Sequence, residues 1–150
     1  MTAKQYLRQA YRLNELINSD IRELERLKEM SKSISTPNLT GMPSGGRKQE
    51  APFVDALVRI AELENVINAE IDRYVAVKME IREAINRVSD NNQRLILRLR
   101  YIQFLSWDEV AAGAGLSLKH AYRIHDRALR NVRIPNQNPT KVGVNETKCD

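Results

Sequence analysis

Apolar residues recur at steps of three and four over two long stretches of the N-terminal half. In residues 4–30 the apolar positions are Tyr6, Ala10, Leu13, Ile17, Ile21, Leu24 and Leu27. In residues 52–88 they are Phe53, Leu57, Ile60, Leu63, Ile67, Ile71, Tyr74, Val77, Ile81, Ile85 and Val88. This spacing places each set on one face of an α-helix. An apolar helix face has to be buried against another helix to be stable in water. The near-heptad steps therefore predict an antiparallel coiled-coil hairpin or pairing with another copy.

Residues 31–50 interrupt the pattern with serine, threonine, proline and glycine, which predicts a flexible linker. The N-terminal half then divides into a first coiled-coil helix at 1–30, the linker, and a second long helix at 51–88, with Pro52 in its first turn. The second helix is the longer one, so part of its apolar surface stays uncovered by the first. We therefore expect a homodimer through the N-terminal helices.

The C-terminal part predicts a small helix-turn-helix domain at 89–134. Ser106 and Glu109 have the spacing of a capping box, Gly115 suits a helix end, and Ser117 can cap a second helix. A preceding helix at 92–104 supplies core residues. Its arginines are expected to point away from this core, towards phosphate; they are Arg94, Arg98 and Arg100. Ile134 and Pro135 end the last helix, and the tail 135–150 is predicted to be disordered. The expected fold is therefore all-α, a hairpin followed by this domain.

The second helix of the pair has two faces of different chemistry. The inward face carries Ala121, Ile124, Ala128 and Val132. The outward face carries Leu118, Lys119, Tyr122, Arg123 and Asp126. Five basic residues against the single acidic Asp126 between Ser117 and Arg133 are typical of a helix that lies in a DNA groove. The side chains predicted to contact phosphate are Ser117, His120, Arg127, Arg130 and Arg133.

Charge supports double-stranded DNA as the partner. The net charge is +5, and residues 89–134 hold eight basic and four acidic side chains, whereas residues 1–88 hold fourteen and thirteen. A single cysteine and the lack of a long apolar run favour a cytoplasmic protein without membrane contact. His120 and His125 point to different sides of one helix, which argues against zinc, and no nucleophile pairs with a base. We expect no enzyme, no metal and no cofactor.

Residues 101–133 resemble region four of bacterial sigma factors. The resemblance is carried by Trp107-Asp108-Glu109-Val110-Ala111, Gly115-Leu116-Ser117 and Arg127-Ala128-Leu129-Arg130. The whole chain is similar to phage regulators of the ArpU and RinA type, which implies a late-gene activator that acts with host RNA polymerase in a bacterial cell. The positions that read bases in the sigma domain match Leu118, Lys119, Tyr122 and Arg123. Leu118 and Tyr122 replace polar or charged residues, so the sigma target sequence does not carry over.

Two other functions are open to a chain of this design. Small terminase subunits, which recognise DNA for packaging, also combine a helix-turn-helix with coiled coils. A sigma-like domain could also bind RNA polymerase without DNA. For single residues, Trp107 is interpreted as core in preference to base stacking. Tyr122 is open to two interpretations, a groove contact to a thymine methyl or a phosphate, or a structural role. Asp126 could accept from cytosine or orient Arg123 or Arg130.

Overall fold

The computed structural model describes residues 1–35 and 47–135, and its regular structure is helical. The helices are α1 (Ala3–Leu7), α2 (Gln9–Ser35), α3 (Arg47–Asn86), α4 (Asn91–Leu97), α5 (Trp107–Ala114) and α6 (Leu118–Asn131), with a π-helical turn at Arg98–Ile102 after α4. No strand occurs within the described ranges, and the all-α prediction is confirmed. The chain divides into two compact units, one formed by Leu7–Ile81 and one formed by Met1–Tyr6 with the residues from Arg82 on.

The first of these units is a hairpin of α2 and α3. Two interactions define its direction: Lys28 Nζ lies 3.4 Å from Glu64 Oε1, and the Asp20 carboxyl acts on Glu70 and raises its pKa. Since the partner number on α3 falls as the number on α2 rises, the helices are antiparallel, as predicted. The predicted apolar faces are buried or half-buried, except that Leu57 is 46% exposed and Ile71 is 39% exposed.

Several helix ends differ from the sequence prediction. The first helix breaks at Arg8, so that α1 is separate, and α2 continues to Ser35. Thr2 caps α1 by accepting from the Gln5 amide at 3.2 Å, while Gln5 Oε1 accepts from the Thr2 amide at 2.9 Å. α3 begins at Arg47, so Pro52 lies within the helix, where its missing N–H leaves one helical carbonyl without its usual donor. The remainder of the predicted linker, residues 36–46, and the tail from residue 136 lie outside the described residues.

The second unit contains the helix-turn-helix. Its core joins α4, α5 and α6 through Ile96, Val110, Ala111, Ala121 and Ile124. Half-buried apolar side chains pack around this core, namely Leu99, Leu105, Trp107, Ala114 and Leu116. Ala111 and Ala121 are 6% and 0% exposed, which agrees with the need for small side chains where two helices meet closely.

The helix predicted at 92–104 is the element that differs most. α4 begins at Asn91 behind Asp90, which caps it by accepting from the Gln93 amide at 2.9 Å, but regular α-helix ends at Leu97. The π-helical turn that follows brings the Gln103 amide to the Arg98 carbonyl at 3.0 Å. One extra residue per turn rotates the side chains relative to an α-helix. Tyr101, which the apolar pattern did not place in the core, is thereby buried at 4% exposure.

Candidate nucleic-acid interface

Local capping fixes where α6 begins. The Ser106 hydroxyl accepts from the Glu109 amide at 3.3 Å and Glu109 Oε2 accepts from the Ser106 amide at 3.0 Å, so the predicted capping box is confirmed. Gly115 adopts φ 68°, and the Leu116 amide donates to the Ala111 carbonyl at 2.9 Å, which closes α5 as a Schellman motif. Ser117 then caps α6 by accepting from the His120 amide at 3.2 Å.

The far end of α6 is tied to α4. Asn131 Nδ2 donates to Gln93 Oε1 at 2.7 Å, across 38 residues of sequence. On its inner face α6 buries the predicted set Ala121, Ile124, Ala128 and Val132, together with His125. With both ends held and the inner face buried, the orientation of the outer face relative to α5 is fixed.

The four predicted base-reading side chains all lie on that outer face. Leu118 is 39% exposed and Tyr122 is 41% exposed, and Lys119 and Arg123 are exposed as well. At 100° per residue they fall within one arc that begins at the first residue of α6. Such an arc at the N-terminal half of the second helix is the part that enters the major groove in helix-turn-helix proteins.

The predicted phosphate-contacting side chains are also exposed. They are Ser117, His120, Arg127, Arg130 and Arg133. The Ser117 oxygen already accepts a hydrogen bond as the cap of α6, and its hydroxyl proton remains able to donate to a phosphate. Within residues 1–35 and 47–135, no ion pair joins Lys119, Arg123, Arg127, Arg130 or Arg133 to a carboxylate. Their charges are therefore directed to solvent.

An aromatic cluster supports the exposed arc from behind. The Trp107 ring lies 4.8 Å from the Tyr122 ring and 4.6 Å from the His125 ring, centroid to centroid. The Arg100 guanidinium lies 5.0 Å from the Trp107 ring centroid. Trp107 thus belongs to the packed structure, as interpreted from the sequence. The Tyr122 ring has one side on Trp107 and keeps the remainder of its surface exposed.

His125 is the buried titratable group of this cluster. It is 5% exposed, and its Nε2 lies 2.6 Å from the Tyr101 hydroxyl. Burial lowers the pKa of His125 to about 4; the nearby Asp126 carboxylate opposes this, while Lys4 and Arg100 add to it. The ring is therefore neutral at pH 7, and Asp126 Oδ1, 3.8 Å from Nδ1, faces an uncharged imidazole. The Asp126 side chain itself is 75% exposed.

Three arginines differ from the sequence expectation that they point towards phosphate. The Arg94 guanidinium donates to the Asn91 side chain, and the Arg98 guanidinium donates to the Asn86 side chain. Arg100 Nη1 donates to the Leu105 carbonyl at 2.8 Å while the guanidinium stacks on Trp107. Hydrogen bonds therefore hold these groups, with acceptors at the start of α4 for Arg94, at the end of α3 for Arg98 and in the loop after the π-helical turn for Arg100.

Sequence reasoning missed two contributors to this site. Tyr101 meets His125 across 24 residues and only because the π-helical turn directs it inward, for which the sequence has no local signal. Lys4 was assigned to the first coiled-coil helix, yet Met1–Tyr6 are part of the helix-turn-helix unit and the Lys4 charge acts on His125. The Thr2 and Gln5 spacing of a capping box was the available sign of a separate short helix.

Comparison with known families agrees with this geometry. Residues 90–133 match the family described as Sigma-70, region 4. This segment, less than a third of the chain, is thus a sigma-region-four-like helix-turn-helix domain of the DNA-binding kind. No curated protein and no solved structure matches the chain. In the part of the chain that the structure describes, no helix has the length and apolar character needed to span a bilayer, and no three metal-ligating side chains cluster.

Proposed function

We propose that this protein is a sequence-specific regulator of transcription that binds double-stranded DNA through α6. The observation that carries the proposal is the set of five cations on and just after α6, all exposed and none paired with a carboxylate in the described residues. They stand on the second helix of a sigma-region-four-like domain. Free cations at this place favour a polyanionic ligand, and the helix fits a major groove.

In this proposal the exposed residues of α6 divide into a group that binds phosphates and a group that contacts bases. Arg127, Arg130 and Arg133 neutralise phosphates and fix the register of the domain on the duplex. Arg123 can donate two hydrogen bonds to the O6 and N7 edge of guanine, and Lys119 can donate to the same edge. Leu118 and the exposed edge of Tyr122 suit the methyl group of thymine. The amides at the start of α6 favour a phosphate there.

The similarity to phage regulators of the ArpU and RinA type narrows the proposal to late-gene activation together with host RNA polymerase. The apolar surface that the shorter first helix leaves uncovered on the second supports a homodimer, and we propose no catalytic activity. Transcription in vitro from a promoter that carries the bound site, with a bacterial holoenzyme, tests this. We expect more full-length transcript when the protein is added. Less transcript would indicate a repressor, and an equal effect on a promoter without the site would favour binding to polymerase alone.

The DNA proposal itself is tested by selection of duplexes from a random pool, followed by titration of the winner and a scrambled duplex at several salt concentrations. We expect an enriched motif and an affinity at least 100-fold higher for the winner than for the scrambled duplex. Equal binding to both duplexes, lost together as salt rises, would leave only a basic surface. A ring of many copies on the winner would favour a packaging subunit.

A further inference from the structure

A second heptad repeat runs along the face of α3 that lies away from α2. Its positions alternate in steps of four and three: Val54, Val58, Ala61, Asn65, Asn68, Asp72, Val75 and Met79. At 100° per residue they lie across the helix from Glu70, the pKa of which Asp20 of α2 raises. All eight are exposed, and the apolar ones strongly so, at 52% for Val54, 49% for Val58 and Val75, and 60% for Met79. We call these eight positions the outer seam.

Apart from Ala61 and Asp72, the chemistry of the outer seam is symmetric about its centre. Both ends are apolar, with Val54 and Val58 at one and Val75 and Met79 at the other. The two asparagines occupy the middle. If a second copy of α3 runs in the opposite direction, with the centre between Val66 and Ile67, then apolar positions meet apolar positions and amides meet amides. The pairs are Val54 with Met79, Val58 with Val75, Ala61 with Asp72, and Asn65 with Asn68.

We propose that the outer seam pairs with the outer seam of a second copy of this chain, antiparallel and about a two-fold axis between Val66 and Ile67. Alternating steps of four and three are the spacing at which two helices interlock over a long contact. Amides at the centre fix the register, because a shift by one heptad separates them and places one against valine: Asn65 against Val75 in one direction, or Asn68 against Val58 in the other. The inference stands apart from DNA binding, since it concerns only α3.

Asp72 decides between the two possible directions. In a parallel pair every seam residue meets its own copy, so two Asp72 carboxylates would face each other between the helices. Burial of like charges side by side is strongly unfavourable. In the antiparallel pair Asp72 faces Ala61, and the two aspartates are about 16 Å apart along the axis at 1.5 Å per residue. That distance exceeds the screening length at physiological salt.

Charges beside the seam agree with the antiparallel direction. Glu62 and Arg73 lie on the same flank of the seam, and the two-fold axis brings Glu62 of one copy within a turn of Arg73 of the other, twice. Asp55 and Glu80 also meet on this flank, but at the two ends of the contact, where water screens their repulsion. The central charges are therefore complementary and the like charges are peripheral.

Sedimentation without DNA tests the association. We expect the full chain at 50 μM to have twice its 17.2 kDa monomer mass, and Val58→Lys to weaken self-association at least tenfold because it places an ammonium in the seam. Leu16→Lys is the matched control, since Leu16 is 57% exposed on α2, and it should remain dimeric. Circular dichroism checks that each variant is folded. A monomeric wild-type chain, or dissociation by both lysine variants alike, would overturn the proposal.

Disulfide trapping tests the direction. Cys149 is the single cysteine, so Cys149→Ser gives a background without thiols. On it, Val58→Cys and Val75→Cys are made as separate proteins. The antiparallel pair predicts a rapid disulfide when the two proteins are mixed under mild oxidation, and a slow one in either alone. Faster trapping in each separate protein than in the mixture would contradict the antiparallel seam, and trapping at a Leu16→Cys control as fast as in the mixture would contradict specific pairing.

Discussion

His125 links the packing of the helix-turn-helix domain to pH. A neutral ring that carries its proton on Nδ1, beside Asp126, leaves Nε2 to accept from the Tyr101 hydroxyl at 2.6 Å. Since folding lowers the pKa of His125 from 6.5 to about 4, the unfolded chain binds a proton in this interval that the folded domain does not. The stabilisation is present above pH 6.5 and is lost as the pH falls towards 4, by about 3 kcal/mol.

The variant His125→Gln isolates this contribution. Glutamine keeps an acceptor for Tyr101 but does not titrate, so its free energy of unfolding should fall less steeply between pH 6.5 and pH 4 than that of the wild type. Urea unfolding at closely spaced pH values measures both slopes. His120→Gln serves as the control, because His120 is exposed on the same helix. Parallel pH curves for wild type and His125→Gln would show that His125 is not the group responsible.

Variants of Arg123 and Arg130 test the base-reading and phosphate-binding roles that we propose for these two residues. Both are exposed cations on α6, but Arg123 lies in the arc that begins at Leu118, whereas Arg130 lies in the last turn. We expect Arg123→Ala to weaken binding to the selected site by about 1–3 kcal/mol and to relax the preference at one base pair. Arg130→Ala should weaken all duplexes alike and reduce the salt slope by about one. Equal losses on selected and scrambled DNA for Arg123→Ala would remove it from the base-reading set.

At the scale of the elements, the turn between α5 and α6 depends on one backbone conformation. Gly115 has φ 68°, which favours glycine, and an added Cβ would meet no atom within 4 Å. Gly115→Ala should therefore lower the free energy of unfolding by about 1 kcal/mol through backbone strain alone. The control is Gly113→Ala, where the added Cβ makes an ordinary 3.4 Å contact with Leu99 and the helix gains a better helix former. Urea unfolding should rank Gly113→Ala at or above wild type and Gly115→Ala below it.

The α2–α3 hairpin contains an unfavourable carboxyl pair. Burial first, and then the hydrogen bond and charge of Asp20, raise the pKa of Glu70. Because folding raises this pKa, the group costs stability above its folded pKa, and the cost disappears as the pH falls below the ordinary value of 4.5. Glu70→Gln should therefore raise the urea midpoint at pH 7, and the gain should shrink towards pH 4.

Glu64, on the same helix as Glu70, takes part in a favourable ion pair and serves as the comparison. Glu64 pairs with Lys28 at 3.4 Å, with side chains 47% and 51% exposed. Glu64→Gln should lower the free energy of unfolding by less than about 1 kcal/mol, as is usual for exposed ion pairs. If Glu70→Gln destabilised the hairpin at pH 7 as Glu64→Gln does, the Asp20–Glu70 contact would have to be favourable.

For the molecule as a whole, local chemistry determined how much was predictable. Helical periodicity places Ile60, Ile67 and Ala121 on inner faces without any knowledge of the partner helix, and caps such as Ser106 and Gly115 act within four residues. The antiparallel hairpin and the helix-turn-helix follow from such signals. The exposed arc of α6 also follows from periodicity, because once Ala121 and Ile124 face inward, Leu118 and Arg123 cannot.

Contacts between residues distant in sequence were the part that could not be predicted. The π-helical turn, the bond between Tyr101 and His125, and the stacking of Arg100 on Trp107 depend on how α4, α5 and α6 cross. The break at Arg8, which assigns Met1–Tyr6 to the helix-turn-helix unit, likewise depends on tertiary packing. Periodicity does not indicate where this break occurs, since the apolar pattern of residues 4–30 continues through it.

Two-fold pairing of α3 has a consequence for the DNA site. Two identical domains related by a two-fold axis bind two half-sites in inverted orientation, with centres about one helical turn of 34 Å, or a multiple of it, apart. We therefore expect the selected motif to be an inverted repeat. Insertion of five base pairs between its halves rotates one half to the opposite side of the duplex and should weaken binding at least tenfold.

The dissociating variant Val58→Lys provides the control for this prediction. Its separate domains should bind each half-site weakly and without regard to spacing, so the five-base-pair insertion should leave its affinity unchanged. Titration of both proteins on both duplexes at one salt concentration gives the four affinities required. A wild-type protein that tolerates the insertion, or a selected motif without inverted symmetry, would mean that each domain binds alone. The outer seam would then serve association without setting the geometry of the DNA site.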